Sequence, residues 1–382
     1  MPPADWYTSP EIAALEKKTT WAANWLHVAR SGQLDRGGSC VTGCAAGAPF
    51  AVARLEGGGL RAYHNVCRHR AARLVTESSG TVQQGEAGAI FRCPYHAWEY
   101  RVEDGRLVKA PRMGGVEGFR ARNYGLKGME VLEWGPLVFI RLAGNPAASA
   151  DSKSLHPPCW SALKAQLDSM GRFSSGLTHV RQVTYDMACN WKVFVDNYLD
   201  GGYHVPVLHA GLSRQLDLDS YRTIIRGRTS VQTCSSGGNV PGTEGSAAGG
   251  DLEGRLGSGA AYAFLHPNLM INRYGPWLDT NTVVPLSHAT CRVTFDYYVE
   301  EQGLEAVAAA AGWGADVEGW VEEGLATSAR VQEEDVGICE DVQRGLESGS
   351  YVPGRYAPRV EHADHHFHCM LAEELESGLT TL

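Results

Sequence analysis

The sequence predicts a two-domain α+β protein, in which a small antiparallel β-domain precedes a larger domain of antiparallel sheet covered by helices. Three observations carry that expectation. At 382 residues the chain exceeds what one ordinary core holds and falls short of three. From about residue 35 to 142, short β-type segments alternate with glycine-marked breaks, the texture of a compact β unit. Farther on, strand-like runs mix with amphipathic helical ones, which is the α+β pattern.

Residues 10–30, "PEIAALEKKTTWAANWLHVAR", read as an amphipathic helix running into a strand, with Pro10 early, where its missing N–H costs nothing. The segment 1–34 is expected to pack on the larger domain. The β-domain is assigned to 35–143, with strands in "FAVARLEGGGLRAYHNV", "AIFRCPYHAWEYRVEDGRLVKAP" and "GPLVFIRL", and a hairpin signal at Asp104-Gly105. The second domain is assigned to 144–382, opening on a linker, "GNPAASADSKS" at 144–154. Within it "SALKAQLDSM" reads helical, "VRQVTYDMACNWKVFVDNYL" strand into helix, "RVTFDYYVE" strand and "GWVEEGLATSARVQEEDVGICEDVQRGLES" one long helix. The Gly/Ser-rich stretch 234–260 reads as a flexible surface loop.

With 43 acidic and 34 basic residues the net charge is -9, which lacks the basic footprint that general nucleic-acid binding needs. No apolar run approaches the roughly 20 residues of a membrane span. The 10 cysteines are scattered through a long chain, favouring a reducing compartment. "MPPADWYTSP" has no signal-peptide pattern, so the expectation is a cytoplasmic protein, or one of the plastid stroma whose leader lies outside this sequence. Small molecules or proteins are the expected partners.

Two short stretches each pair a thiol with an imidazole: Cys67 and His69 in "CRHRAARL", Cys93 and His96 in "CPYH". A structural zinc ion accepts two Cys and two His, but usually with like ligands paired. A Rieske [2Fe–2S] cluster puts two thiolates on one iron and two imidazoles on the other, so two mixed loops satisfy it symmetrically. The mixed pairing favours the cluster, with zinc or no metal as alternatives. Its potential, roughly −150 to +300 mV, would accept electrons from a low-potential ferredoxin.

His204 and His209 are five residues apart, about 140° on a regular helix, so they converge only if the helix breaks; Gly201, Gly202 and Pro206 supply the means. They read either as two buried structural histidines or as two members of a three-residue ligand set. Two imidazoles and a carboxylate make the facial triad of non-haem Fe(II) oxygenases. Asp335 is the expected carboxylate, because it sits within an apolar stripe of Leu325, Val331, Ile338 or Cys339, Val342 and Leu346, where a lone charge is costly. Glu334, at the stripe's edge, is second choice. Asp200, four residues before His204, is spaced either to hydrogen-bond a ligand imidazole or to turn away as a helix-surface carboxylate. "HADHHFH" at 362–368 is expected to be structural, with no carboxylate or thiol set completing a metal site.

With these motifs the chain resembles the α-subunits of Rieske non-haem iron oxygenases. Through "HNVCRHRA", "CPYHAWEY", "NWKVFVDNYLDGGYHVPVLH", "RYGPW" and "EEDVGICEDVQRGLES" it is similar, more narrowly, to the choline monooxygenase group of plants and algae. The resemblance implies a [2Fe–2S] cluster on Cys67, His69, Cys93 and His96, a mononuclear Fe(II) on His204, His209 and Asp335, and Asp200 as a bridging carboxylate. It implies a homotrimer fed by a ferredoxin or ferredoxin-like reductase, with Arg68, Arg70 and Arg73 facing either a neighbouring subunit or an acidic donor. The implied reaction is O2-dependent hydroxylation of choline to betaine aldehyde hydrate, towards glycine betaine. The alternatives are N-demethylation or other C–H hydroxylation of a different small substrate and, more distantly, electron transfer alone. A quaternary ammonium is recognised by aromatic faces; Tyr203, Phe264, Tyr274, Trp277 and Tyr297 are the candidates, each of which also reads as core packing. The insert "ESSGTVQQGEAG" at 77–88 departs from the family pattern and is expected to form a surface hairpin.

Overall fold

The computed structural model describes residues 1–142, 157–171, 173, 175–209, 213, 216–236, 259–301 and 304–380. The chain divides into two units, a small one of Thr20–His156 and a large one joining Met1–Thr19 to Pro157–Leu382. The expected 144–154 linker lies outside the described residues.

Short helices α1 (Asp5–Thr8), α2 (Pro10–Lys18) and α3 (Thr20–Ala23) lead the chain. The Ser9 hydroxyl caps α2 by accepting the N–H groups of Glu11 and Ile12, and Pro10 sits in its first turn, as Ser and Pro do best. The segment 1–34 is therefore not one piece packed on the large unit. It divides at Thr19/Thr20, because "LHVAR" forms a strand, β1 (Leu26–Arg30), whose backbone groups pair with a strand of the small unit.

The small unit has two antiparallel sheets. Its larger sheet runs β1-β11-β10-β4-β3-β2-β5, with β2 Ser39–Ala45, β3 Ala48–Arg54, β4 Leu60–His64, β5 Ser79–Thr81, β10 Gly128–Trp134 and β11 Leu137–Arg141. The smaller runs β6-β7-β8-β9, with β6 Gln83–Gly85, β7 Gly88–Arg92, β8 Glu99–Arg101 and β9 Leu107–Lys109. The Asp104-Gly105 turn joins β8 to β9. The 77–88 insert is shared between the sheets rather than forming one hairpin: β5 edges β2, while β6 folds back on β7.

The large unit is built on an antiparallel sheet ordered β12-β18-β17-β16-β15-β14-β13. Its strands are β12 Leu177–Met187, β13 Leu216–Arg226, β14 Thr229–Ser236, β15 Gly259–Leu265, β16 Leu269–Tyr274, β17 Trp277–Pro285 and β18 Cys291–Glu300. Helices α4 (Pro158–Met170), α5 (Trp191–Leu199), α6 (Val205–Leu208), α7 (Leu304–Ala310), α8 (Val317–Glu347) and α9 (His362–Leu379) accompany it. The expected 234–260 loop does not hold at its two ends. Residues 234–236 and 259–260 are strand, with Cys234 opposite Ala260 and Ser235 opposite Gly259, and 237–258 lie outside the described residues.

Register places a polar and aromatic row across one sheet face: Gln232, Tyr262, Asn272, Asp279 and Tyr297 oppose one another in turn on β14 to β18. Directly opposed residues share a face. Helix α5 crosses it, with Tyr198 donating to Asn272 Oδ1 at 2.9 Å. Helix α8 crosses it too, with Ser328 Oγ 3.0 Å from the Tyr297 hydroxyl.

The N-terminal segment is tied to α5 by a buried ion pair. Lys192 Nζ donates to Glu16 Oε1 at 2.6 Å, and Trp191 Nε1 to Glu16 Oε2 at 3.0 Å. Burial lowers the Lys192 pKa from its usual value even though Glu16 opposes the shift. Removing one partner strands the other charge, so Glu16→Ala is expected to cost about 3–5 kcal/mol, read from the denaturant midpoint. Glu16→Ala/Lys192→Met should recover most of that loss, and a double variant no more stable than the single one would contradict this account.

Candidate functional site

Helix α5 stops at Leu199 because the next residues cannot continue it. Gly201 and Gly202 adopt φ of +76° and +74°, which side chains resist. A Cβ on Gly201 would also run into the Val360 carbonyl oxygen, and one on Gly202 would lie 2.8 Å from the Tyr221 ring. Asp200 closes the turn: Oδ1 accepts the N–H groups of Gly202 at 2.9 Å and Tyr203 at 3.1 Å, and Oδ2 that of His204 at 3.0 Å. His204 and His209 then flank the single turn of α6 instead of riding one helix, and their ring centroids stand 5.1 Å apart.

Asp335 reaches the pair from α8. His209 Nε2 is 3.0 Å and His204 Nε2 3.9 Å from Asp335 Oδ1, and one ligand atom from each of the three residues lies within 4.8 Å of the others. The opposite ring nitrogens are taken: His204 Nδ1 is 2.6 Å from Asp200 Oδ2, and His209 Nδ1 2.6 Å from Glu334 Oε2. If each Nδ1 donates its proton to a carboxylate, both Nε2 lone pairs face Asp335, the tautomer that metal ligation requires. Glu334, the second-choice ligand, is thus an outer partner of His209. Burial disfavours the His209 cation, but bonds and charges from Asp335 and Glu334 outweigh it and raise its pKa. Two imidazoles and a carboxylate with clustered charge suit a divalent cation such as Fe(II). The stripe around Asp335 runs through Cys339, which is buried, while Ile338 and Val342 are exposed.

The three residues are among those lining a cavity of about 330 Å³, whose wall includes the rings of Tyr198, Tyr221, Tyr262, Tyr274 and Phe295. Of the five expected recognition aromatics, Tyr274 belongs to this wall. Tyr203 is 62% exposed beside it. Phe264 packs edge-on against Phe367 at 5.6 Å, and Trp277 against Trp320 at 5.3 Å, where Gly324 clears the space, since its Cβ would stand 2.6 Å from the indole. Tyr297 is buried under Ser328. These five residues lie beside sequence motifs, whereas the cavity selects by sheet register.

The two Cys/His loops of the small unit repeat one geometry. The Cys67 N–H donates to Ala72 O at 2.8 Å and the Ala71 N–H to Cys67 O at 3.0 Å; Cys93 to Trp98 O and Ala97 to Cys93 O repeat both distances. Ala71 and Ala97, each four residues after its cysteine, take φ of +58° and +55°. Cys67 and Cys93 are buried at 3% and 2% exposure, while His69 and His96 are exposed with centroids 4.6 Å apart. Trp98 stacks on His69 at 4.8 Å, and the Tyr100 hydroxyl, which accepts the Arg68 N–H, is 3.2 Å from Cys67 Sγ. A single tetrahedral zinc would draw all four ligand atoms to within about 4 Å. Among the described residues, the groups whose ligand atoms all lie within 4.8 Å do not include these four. Thiols inside and imidazoles outside fit a two-iron Rieske centre.

The tract 362–368 does gather carboxylates, contrary to expectation. His368 lies with Asp196 and Asp364 inside the same 4.8 Å limit. The Tyr7 hydroxyl donates to Asp196 at 2.7 Å, and that of Tyr356 is 2.9 Å from His368 Nδ1, while burial first and Asp196 second push Asp364 up to about 10. The group reads as a hydrogen-bonded core network holding α1, α5 and α9 together.

Residues 24–120 match the family described as Rieske [2Fe-2S] domain, and 174–377 that described as Ring hydroxylating alpha subunit (catalytic domain). A chloroplastic choline monooxygenase of Arabidopsis thaliana is 41% identical over 98% of this chain and 83% of that protein; one of Beta vulgaris is 35% identical over 98% and 77%. The carnitine monooxygenase oxygenase subunit of Escherichia coli K12 is 28% identical over 97% and 92%. Among solved structures, a quaternary ammonium Rieske monooxygenase, CntA, with L-carnitine bound shares the fold at a TM-score of 0.72 and 23% identity, covering 97% of this chain and 95% of that one.

Gly201→Ala should misplace His204 through both backbone strain and the Val360 contact. We expect metal content at the His204/His209/Asp335 site to fall while the visible spectrum of the small unit's cluster is unchanged. A variant with full metal occupancy would show that the turn tolerates a side chain.

Proposed function

The chain belongs to the Rieske ring-hydroxylating oxygenase α-subunit family, and from that premise we propose that its cavity admits choline and that its product is betaine aldehyde hydrate. It is a Rieske non-haem iron monooxygenase with a [2Fe–2S] cluster and a mononuclear iron. On our reading, Cys67, His69, Cys93 and His96 hold the cluster and His204, His209 and Asp335 the iron. Bound there, the two groups supply electron relay and reductive activation of O2. One oxygen atom enters the C–H bond of the carbinol carbon and the other leaves as water, consuming two electrons and two protons.

The observation that carries the substrate reading is the aromatic wall beside the triad. Trimethylammonium offers no N–H, so ring faces, worth about 0.5–2 kcal/mol each, are its natural contacts. Tyr221 and Tyr262 lie parallel with centroids 6.4 Å apart, and Tyr198 meets Tyr262 edge-on at 6.4 Å. Asp200 keeps the proton of His204 on Nδ1 and fixes where Nε2 points. The names of the plant relatives support choline and a plastid location.

Electrons reach the cluster from a ferredoxin or ferredoxin-like reductase on this reading. Arg68, Arg70 and Arg73 are exposed around the histidine edge and complement an acidic donor. A homotrimer is the matching assembly; a related solved structure is described as transferring electrons between subunits.

The holoenzyme should carry three irons per chain, two of them in the cluster, and should form betaine aldehyde from choline with reduced ferredoxin and O2, as read by mass spectrometry. Asp335→Ala should lower iron to two per chain, keep the cluster spectrum and abolish product. Wild-type holoenzyme that makes no betaine aldehyde but oxidises another amine would overturn the choline reading; two irons in the wild type would overturn the oxygenase site.

A further inference from the structure

Choline presents two unlike ends to a cavity. Its trimethylammonium end asks only for surface contact. Its alcohol is attached to the carbon that is oxidised, so a hydrogen bond to that oxygen aims the reacting carbon as well. A hydroxyl taken out of water without such a bond weakens binding.

Most polar groups of the cavity wall are already engaged with one another or with the histidines. The Tyr274 hydroxyl donates to Asp279 and that of Tyr198 to Asn272. Ser328 meets the Tyr297 hydroxyl, and Asp200 and Glu334 are bonded to imidazoles. The Tyr221 hydroxyl differs: it lines the cavity, and among the described residues it has no hydrogen-bond partner.

Tyr221 stands on β13, partly buried, with its ring parallel to that of Tyr262. A Cβ on Gly202 would lie 2.8 Å from its Cε2 and 3.2 Å from Cζ, the carbon that bears the hydroxyl. The polar edge of the ring is therefore laid against the turn that joins Asp200 to His204, and glycine leaves it the room. Burial first, and then the neighbouring Tyr262, hold the phenol well above its usual pKa. It keeps its proton and can donate it in a hydrogen bond.

We propose that the Tyr221 hydroxyl is the specificity-determining donor for the substrate's alcohol, bonding the carbinol oxygen and holding the adjacent carbon towards His204, His209 and Asp335. An alkylammonium of similar size without the hydroxyl still meets the ring faces but leaves this donor unpaired, so the site disfavours it. This inference rests on the proposed choline substrate.

The test is calorimetric titration of oxidised holoenzyme with choline and with ethyltrimethylammonium, its analogue lacking only the hydroxyl oxygen. The wild type should bind choline more tightly by roughly 10-fold. Tyr221→Phe should lose about that factor for choline and nothing for the analogue, bringing the ratio to one or below. Because the hydroxyl has no internal partner to lose, the variant's denaturant midpoint should match the wild type; a variant that is destabilised or fails to fold would reveal a structural bond and overturn the inference. Equal losses for both ligands, or none for choline, would overturn it too. So would a wild type with no preference between them, a result that needs no variant. A wild type that binds neither ligand would instead overturn the choline reading on which the inference rests.

Discussion

The bonds from His204 Nδ1 to Asp200 and from His209 Nδ1 to Glu334, both 2.6 Å, are the constraint around which the large unit is organised. A neutral imidazole offers one lone pair, and which nitrogen carries it is set by what the other nitrogen donates to. With both Nδ1 atoms committed, the two Nε2 atoms can only face inward, towards Asp335. Meeting that condition draws the end of α5, the turn of α6 and the middle of α8 to one point. It also gathers three carboxylates around two imidazoles, an excess of negative charge that a divalent cation relieves.

Backbone irregularity concentrates where donors must be aimed, and the two units arrive at this differently. In the large unit the turn after α5 admits only glycine, for reasons of both φ and space. In the small unit Ala71 and Ala97 occupy the left-handed region at equivalent positions, each held by a bond back to its own cysteine carbonyl. Side chains in that region carry a cost of order 1–3 kcal/mol. Its recurrence four residues after both cysteines makes it part of how each loop turns a thiol inward and an imidazole outward.

What could be read from the chain follows from how local the information is. The Rieske character of the small unit was legible because metal chemistry admits few residue types and each Cys/His pair lies in one loop. Asp335 was legible through the cost of a carboxylate on an apolar stripe, although Ile338 and Val342 proved not to belong to that stripe. Of the cavity's aromatic wall only Tyr274 was legible, because the rest depends on strand register. Phe264 and Trp277 lie on strands of the same sheet as the cavity but are covered by Phe367 and Trp320, while Tyr262 and Asp279 fall in the row left open between them. The same limitation hid the division at Thr19/Thr20, since "LHVAR" gains its partners from β11, more than a hundred residues away.

On the proposed ligand assignment, the small unit's loops also decide which side of the cluster is reachable. Cys67 and Cys93 share a core with Tyr63, Phe91, Trp98 and Tyr100, so the thiolate side is closed by rings and the imidazole side meets solvent. Tyr100 adds a directional effect: with its oxygen accepting the Arg68 N–H, its proton is free to point at Cys67 Sγ, and a hydrogen bond to a ligand sulfur is among the levers that set the potential. An electron passing between this unit and any partner then has its shortest path through His69 or His96. On the same assignment, the arginines that flank that edge would act on electron exchange by governing which surfaces approach it, while the buried tyrosine would act on how readily the electron is held.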